Sequence, residues 1–379
     1  RRVHGDKRFE EYSQDVISAM ALKAGHIINL DILSDSSSLV SPLASLGKDS
    51  KKVSHNVKKF TVVGHRGSGM NMLQSPDLRM KAIKENTIAS FNAASRFPID
   101  FIEFDVQVTK DKHPVIFHDS SVLTESYGKV SQKRVTEITL SEFLSYGIQR
   151  SSREEGKPLL RKAKDGSIFR WEVEKDDFLC TLQEAFEQVD PYLGFNIELK
   201  FDDYIAYEEA HLTTVLKSVL QTVFDYAKER PIIFSTFQPD AALLVRKLQK
   251  AYPVFFLTNG GNEVYEDKRR NSIDEAMALC REWGLQGVVS EVRGVLRNPD
   301  CVRKMKEAEL AVFTYGELNN VAEVVYVQYL MGVDGVVVDL VKEITDATNI
   351  LFAENEDQGT FSNKEIDFLL KLIPHLVRS

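Results

Sequence analysis

Short apolar runs alternate with helix-length segments along most of the sequence, and this alternation constrains the fold more than any other feature. The apolar runs start at Phe60–Gly64 and recur up to Gly335–Val338, with amphipathic segments such as Glu208–Lys228 and Ser272–Trp283 between them. Strands that alternate with helices of this length form parallel βαβ units. Eight or nine such units predict an α/β protein with a closed (β/α)8 barrel, the TIM-barrel architecture. An open doubly wound sheet is the alternative, but residues 64–69 lack the glycine spacing of a dinucleotide-binding loop.

Three segments depart from the alternation. Residues 1–57 are polar and turn-rich without sustained periodicity, so we predict an arm or linker that is poorly structured in part. We expect the barrel over residues 58–356, with a charged insertion at about residues 120–178, after the second or third strand, that has a short hairpin and a helix of its own. Residues 357–379 predict a C-terminal amphipathic helix that docks on the barrel wall; homodimerisation or membrane contact is the alternative.

Composition and charge exclude several classes of protein. The chain has 379 residues, a formal net charge of −8 and a sequence pI of about 5.6. This acidic balance predicts no general attraction to nucleic acid, and no apolar run is long enough to predict a transmembrane segment. The three cysteines have neither disulfide nor zinc-site spacing, which is typical of a reducing compartment. We therefore expect a cytoplasmic protein, with a plastid location as the alternative.

Carboxylates recur at alternate positions on two of the predicted strands. Glu103 and Asp105 are two residues apart on one strand, and Asn196, Glu198 and Lys200 follow the same spacing on another. Residues two apart on a strand share a face, so a barrel directs both sets into its interior. Clustered carboxylates repel each other unless a cation lies between them. Glu103, Asp105 and Glu198 therefore predict a site for one divalent cation, with Mg²⁺ favoured and Ca²⁺ as the alternative. Pairing of each acid with a lysine or arginine is the other interpretation.

Two histidines follow predicted strands near these acids. His65 comes directly after the first strand and His118 after a later one, and the carboxyl ends of barrel strands carry active sites. Because histidine titrates near neutral pH, one can act as a base and the other as an acid. Arg66 offers a fork-shaped donor that matches phosphate, and Lys200 offers a second positive group. The amide of Asn86 can cap the helix that follows it or donate to a ligand oxygen.

The motifs that contain these residues resemble those of glycerophosphodiester phosphodiesterases. In chain order they are Gly64-His65-Arg66-Gly67, Glu85-Asn86-Thr87, Glu103-Phe104-Asp105, His118-Asp119 and Asn196-Ile197-Glu198-Leu199-Lys200. The resemblance runs from about Lys58 to Ala353 and is closer to the soluble plant members than to the bacterial ones.

The resemblance implies a TIM-barrel enzyme that hydrolyses glycerophosphodiesters, such as glycerophosphocholine, to sn-glycerol 3-phosphate and an alcohol. It implies that the substrate's own glycerol hydroxyl attacks phosphorus and forms a cyclic phosphate, which water then opens. The residues it implies are the acid/base pair His65 and His118, the metal ligands Glu103, Asp105 and Glu198, the phosphate contacts or supports Arg66, Asn86 and Lys200, and Glu85 in the outer shell of the metal.

The resemblance also leaves points open. Tyr315 stands where many members have tryptophan, in the wall of the glycerol pocket, and we assign it to substrate binding. A lysophospholipase D or phospholipase C-like enzyme on the same fold is an alternative, but it needs an apolar rim that the sequence does not plainly show. A non-catalytic phosphodiester-binding barrel predicts the loss of some site residues, whereas all of them are present.

Overall fold

The computed structural model describes residues 60–151 and 155–353. The predictions for residues 1–57 and 357–379 therefore lie outside the described residues. Contacts divide the described chain into two compact units. One unit comprises residues 63–257 and 339–341, and the other comprises residues 60–62, 258–338 and 342–353.

Strands and helices alternate as the sequence predicts. The strands, in chain order, are β1 Thr61–Gly64, β2 Phe101–Val108, β3 Pro114–Ile116, β4 Ser121–Ser126, β5 Lys129–Arg134, β6 Leu160–Lys162, β7 Ile168–Arg170, β8 Gly194–Leu199, β9 Ile232–Thr236, β10 Val254–Thr258, β11 Gly287–Glu291, β12 Ala311–Tyr315 and β13 Gly335–Val338. The α-helices are α1 Ile88–Ala94, α2 Leu140–Leu144, α3 Leu182–Gln188, α4 Glu209–Tyr226, α5 Pro239–Leu248, α6 Ile273–Trp283, α7 Val292–Arg297, α8 Asp300–Glu307, α9 Ala322–Leu330 and α10 Val341–Ala353.

Eight strands of the described chain form one parallel sheet. Their order is β1-β13-β12-β11-β10-β9-β8-β2, and β1 also pairs with β2, so the sheet closes on itself. β9 and β10 are buried along their whole length, as expected for barrel strands that are covered on both faces. The predicted TIM (β/α)8 barrel is confirmed.

Local capping signals fix several helix ends. Thr181 and Glu184 form a capping box at the start of α3, each side chain accepting a backbone N–H of the other. Ser272 caps α6, and Gly284 ends it in a left-handed conformation with φ of 64°. Pro239 occupies the first position of α5, where its missing N–H costs nothing.

The stretch that we predicted as an insertion contains a sheet of its own, with strand order β5-β4-β6-β7 and antiparallel pairing throughout. Buried apolar side chains pack together there, among them Phe117, Val122, Phe143 and Trp171. The sequence predicted a short hairpin and a helix there, and the structure has the hairpins β4–β5 and β6–β7 and the helix α2.

β3 differs from the barrel strand that we expected there. It pairs antiparallel with β2, Val106 opposite Ile116, after a tight turn in which Lys112 has a positive φ of 68°. His118 therefore reaches the interior through a hairpin, and its predicted position at the carboxyl end of a barrel strand is wrong.

None of the helices in residues 60–151 and 155–353 has the length and apolar character needed to cross a membrane.

Candidate active site

Three carboxylates meet where β2 pairs with β8. The register places Asp105 opposite Glu198 and Glu103 opposite Asn196. One oxygen of each of the three acids lies within 4.8 Å of the others. Glu103 is 5% exposed and Asp105 1%, while Phe104 between them packs on aromatic rings on the other face. The structure thus brings together the acids that the two-residue spacing predicted.

Burial makes this cluster of negative charge unfavourable. It raises the pKa of Glu103 to about 8, and the charge on Asp105 adds to the effect. Burial also raises the pKa of Glu198, although Lys200 opposes it. For Asp105, burial acts in the same direction, but His118 in its protonated form and then Lys200 hold its pKa well below the usual range. Without a metal, burial and mutual repulsion therefore favour the protonated form of a carboxyl group in the cluster.

Glu103 keeps one unused acceptor. Its Oε2 accepts a hydrogen bond from the backbone N–H of Arg66 at 3.0 Å. Its buried Oε1 accepts no hydrogen bond from any residue that the structure describes. A buried acceptor without a donor is costly, and a divalent cation satisfies it. The three hard oxygen donors and this unpartnered atom fit a cation of the Mg²⁺ or Ca²⁺ type.

His65 is held by a carboxylate from the far end of the barrel sequence. Its Nδ1–H donates to Asp339 Oδ1 at 2.7 Å, and its Nε2 lies 3.9 Å from Glu103 Oε2. Asp339 directly follows β13, and its Oδ1 also accepts the N–H of Met70. Burial lowers the pKa of His65, but Asp339 outweighs burial and the net pKa is raised.

His118 is held by its neighbour in sequence. Its Nδ1–H donates to Asp119 Oδ1 at 2.8 Å, and the same oxygen accepts from Arg161 Nη2 at 3.0 Å. Burial, followed by the charges of Arg66 and Lys200, lowers the pKa of His118 to about 4. Both histidines thus have Nδ1 occupied by a carboxylate, which leaves Nε2 for proton transfer.

Arg66 and Asn86 have strained backbones at the site. Their φ angles are 49° and 56°, in the left-handed region, and the N–H of Asn86 donates to the carbonyl of Arg66 at 3.0 Å. Such conformations cost on the order of 1–3 kcal/mol each and cluster at functional sites. Asn86 Nδ2 donates to Asp105 Oδ2 at 2.8 Å, and Thr87 is the residue that caps α1.

One buried nitrogen of the Arg66 guanidinium has no acceptor among the described residues. Its Nη1 donates to Glu85 Oε1 at 2.8 Å. Its buried Nε lies 3.5 Å from Asp105 Oδ2 but donates no hydrogen bond to any described residue. Lys200 Nζ lies 2.8 Å from Glu198 Oε1 and 3.5 Å from Asp105 Oδ1. Both cations predicted to contact phosphate therefore border the carboxylate cluster.

Glu85 is fully engaged by other groups. Arg161 donates to both of its oxygens, at 2.8 and 2.9 Å, and the backbone N–H of Asn71 donates to Oε2. Burial raises the pKa of Glu85, but Arg161 and Arg66 outweigh it and lower the pKa to about 2. Glu85 lies outside the group of three acids and holds the two arginines.

Tyr315 ends β12, in the other compact unit. Its hydroxyl donates to Asn259 Oδ1 at 2.5 Å. Its assignment to the glycerol pocket stays a prediction.

Sequence reasoning missed three residues of the site: Asp339, Asp119 and Arg161. Asp339 follows the last barrel strand directly, so the rule that active-site residues follow barrel strands would have found it. Asp119 lay within a quoted motif but had no assigned role. Arg161 gave no signal, because it lies in a short charged strand of the insertion.

The chain is similar in sequence and in fold to known phosphodiesterases. The Glycerophosphoryl diester phosphodiesterase family matches residues 65–343. A chloroplastic glycerophosphodiester phosphodiesterase of Arabidopsis thaliana is 57% identical over 370 residues, which cover 95% of this chain and 100% of that protein. A second A. thaliana glycerophosphodiester phosphodiesterase is 55% identical over 346 residues, 87% of this chain and 92% of that protein. In fold, the chain is similar to an Oleispira antarctica phosphodiesterase solved in complex with the product sn-glycerol-3-phosphate, with a TM-score of 0.53, 20% identity and coverage of 76% of this chain and 96% of that one. This chain belongs to the glycerophosphoryl diester phosphodiesterase family.

Proposed function

We propose that this chain hydrolyses glycerophosphodiesters, such as glycerophosphocholine and glycerophosphoethanolamine, to sn-glycerol 3-phosphate and an alcohol. Membership of the family supports a phosphoric diester hydrolase, as does the 57% identity to a relative named for this activity. The headgroup preference is the finer part of the proposal.

One observation carries the proposal. The site combines a buried acceptor and a buried donor, Glu103 Oε1 and Arg66 Nε, that bond to no described residue. A cation satisfies the first, and a phosphate oxygen satisfies the second. A metal-bound phosphodiester supplies both partners at once, so the pair fits this class of ligand.

Glu103, Asp105 and Glu198 are the residues that would hold the cation, since each offers an oxygen to the same small space. A bound divalent cation withdraws charge from the phosphate oxygens and lowers the pKa of an attacking hydroxyl. We favour Mg²⁺ over Ca²⁺, and three carboxylates accept either ion.

The two histidines would move the protons. In the first step, Nε2 of one histidine takes the proton of the glycerol hydroxyl as its oxygen attacks phosphorus, and Nε2 of the other protonates the departing alkoxide. The products of this step are a cyclic phosphate and the free alcohol. In the second step the roles reverse, and water opens the ring to give sn-glycerol 3-phosphate. Asp339 and Asp119 keep each Nδ1 protonated, so Nε2 is the reacting nitrogen.

The remaining assignments concern the phosphate and the glycerol. Arg66, Lys200 and Asn86 would bind or orient the phosphate, since all three border Asp105. Glu85 would hold Arg66 in place. Tyr315 would contact the glycerol.

The compartment and assembly also stay proposals. The relative aligned along its full length is named chloroplastic, which favours the plastid alternative over the cytoplasm. A fluorescent fusion of the full chain in leaf cells tests this location. The homodimer is a predicted alternative role of residues 357–379, which lie outside the described residues.

The test of the function combines a metal chelator with a substrate analogue. We expect choline release from glycerophosphocholine in Mg²⁺, loss of activity in EDTA and recovery when Mg²⁺ is restored; Ca²⁺ in parallel decides between the two ions. An analogue whose glycerol 2-hydroxyl is replaced by hydrogen should compete with the substrate but release no choline, because it cannot form the five-membered cyclic phosphate. Full activity in EDTA would contradict the metal site, and turnover of the analogue would contradict the cyclic phosphate.

Preference for micellar lysophosphatidylcholine would favour the phospholipase alternative, and binding of intact substrate without turnover would favour the non-catalytic one.

A further inference from the structure

We propose that Arg161, contributed by the insertion, is a positioning residue that fixes the orientation of His118 through Asp119. This inference rests on the proposed function, because it concerns the same reaction. The small antiparallel sheet β5-β4-β6-β7 then contributes a residue that acts on the active site.

The guanidinium of Arg161 is fixed by four hydrogen bonds. Nη2 donates to Glu85 Oε1 at 2.8 Å and to Asp119 Oδ1 at 3.0 Å. Nη1 donates to Glu85 Oε2 at 2.9 Å and to the carbonyl of Asn71 at 3.2 Å. The side chain is only 12% exposed, so these bonds are little weakened by water. The orientation of the planar group is therefore set at both ends of its fork.

One carboxylate oxygen, Asp119 Oδ1, links the side chain of Arg161 to that of His118. Asp119 Oδ1 accepts from both Arg161 Nη2 and His118 Nδ1. The side chain of Asp119 is 29% exposed, so nothing but these two partners keeps it from turning toward water in the part of the chain that the structure describes. A histidine whose Nδ1–H donates to a fixed carboxylate keeps one tautomer and one ring orientation. Arg161 thus acts on His118 without touching it.

The insertion in turn holds Arg161. The guanidinium lies over the ring of Trp171, 4.2 Å from its centroid, and Trp171 Nε1 donates to Asn71 Oδ1 at 2.9 Å. Arg161 itself is on β6, in register with Phe169 on β7. Because Arg161 and Phe169 lie on paired strands of the insertion and Trp171 directly follows β7, correct folding of the insertion sets the position of Arg161.

A lysine cannot replace this arginine. The guanidinium reaches two carboxylates and one carbonyl at once through a rigid fork, whereas an ammonium is a single point on a flexible stem. Glu85 keeps Arg66 as a partner when Arg161 is removed, at 2.8 Å from Arg66 Nη1. We therefore expect the loss to fall on the step that His118 performs more than on substrate binding.

The simplest rival is that Arg161 only tethers the insertion. Arg134 provides a matched control, because it lies on β5 of the same sheet and pairs with Asp202 in the loop after β8. A tether role predicts that Arg134→Ala and Arg161→Ala have similar effects. A positioning role predicts that only Arg161→Ala changes the state of His118.

The experiment uses the full chain with Arg161→Ala, Arg161→Lys and Arg134→Ala. With glycerophosphocholine and Mg²⁺, Arg161→Ala should lower kcat about 10-fold, as removal of orienting partners does elsewhere. KM should stay within about threefold, since ground-state binding is retained. Guanidinium at tens of millimolar, well below denaturing concentrations, should restore part of the rate of Arg161→Ala, and Arg161→Lys should remain impaired. Arg134→Ala should keep its kcat.

A second measurement does not depend on enzyme activity. In ¹⁵N-histidine spectra of the substrate-free protein, with the His118 signals assigned from His118→Gln, Arg161→Ala should lose the single Nδ1–H tautomer, and Arg134→Ala should keep it. An unchanged His118 signal, an equal loss of kcat in Arg134→Ala or full activity of Arg161→Lys would overturn the proposal. If Arg161→Ala does not fold, Arg161→Lys carries the same spectral test. A wild-type chain without activity contradicts the proposed function alone, because the spectra still decide the role of Arg161.

Discussion

The two histidines of the site are built from different parts of the chain. His65 Nδ1 meets Asp339, which is 274 residues away in sequence, and His118 Nδ1 meets Asp119, the next residue. The first pair therefore exists only when the last barrel strand lies beside the first. The second is local in sequence, yet its carboxylate is fixed by Arg161 from the insertion.

The pKa values of the two paired histidines also shift in opposite directions. Burial lowers the pKa of both histidines, but Asp339 reverses the effect at His65 and the net pKa is raised. At His118 the charges of Arg66 and Lys200 reinforce burial, and the pKa falls to about 4 despite Asp119. The charges around each His–Asp pair therefore decide whether the paired carboxylate outweighs burial.

Removing either imidazole should have the largest effect and should separate the two roles. We expect His65→Ala and His118→Ala each to lower kcat about 10²- to 10⁴-fold, because each removes a proton-transfer group. With a p-nitrophenyl leaving group, which departs without protonation, the variant that lacks the acid should recover much of its rate, and the variant that lacks the base should not. Single-turnover release of the alcohol from both substrates measures this, because the two histidines exchange roles when water opens the ring.

Melting temperatures equal to that of the wild type serve as the control for His65→Ala and His118→Ala. Equal recovery of both would show that the histidines do not divide the acid and base roles. Wild-type rates in either variant would remove that histidine from the mechanism.

Replacing the carboxylate partners should have an intermediate effect that differs between the pairs. The side chain of Asp339 is 6% exposed, whereas that of Asp119 is 29% exposed, so water can replace part of the role of Asp119. We expect kcat to fall about 100-fold in Asp339→Asn and about 10-fold in Asp119→Asn, within the range for partners that orient a catalytic group. Loss of the negative charge should also lower the pKa of His65 in Asp339→Asn, which NMR titration measures in EDTA. A larger loss in Asp119→Asn would reverse the comparison.

The sequence predicts those parts of the site that depend on local periodicity. Alternation along β2 and β8 placed Glu103, Asp105 and Glu198 on the same face of the sheet, because side chains two apart on a strand share a face. The approach of His118 was not predictable in the same way, since a turn at residues 109–113 reverses the chain and makes β3 antiparallel. Arg161 depends on how the insertion packs, and no spacing in the sequence encodes that contact.

The smallest predicted effect is a difference in the pH dependence of stability, measured by urea unfolding in EDTA. The pKa of His118 falls from 6.5 in the unfolded chain to about 4 on folding, so between these values only the unfolded state binds its proton. The wild-type free energy of unfolding should therefore rise with pH in this window through His118, by at most about 1.4 kcal/mol per pH unit. His118→Gln should remove that rise.

The pKa of His65 is raised on folding, so the folded state holds its proton above pH ~6.5, and stability falls as pH increases through the folded value. His65→Gln should remove that fall. The two windows do not overlap, so the double variant should show both changes. Slopes that change in the same direction in the two single variants would mean that the surroundings of the histidines do not differ as the contacts indicate.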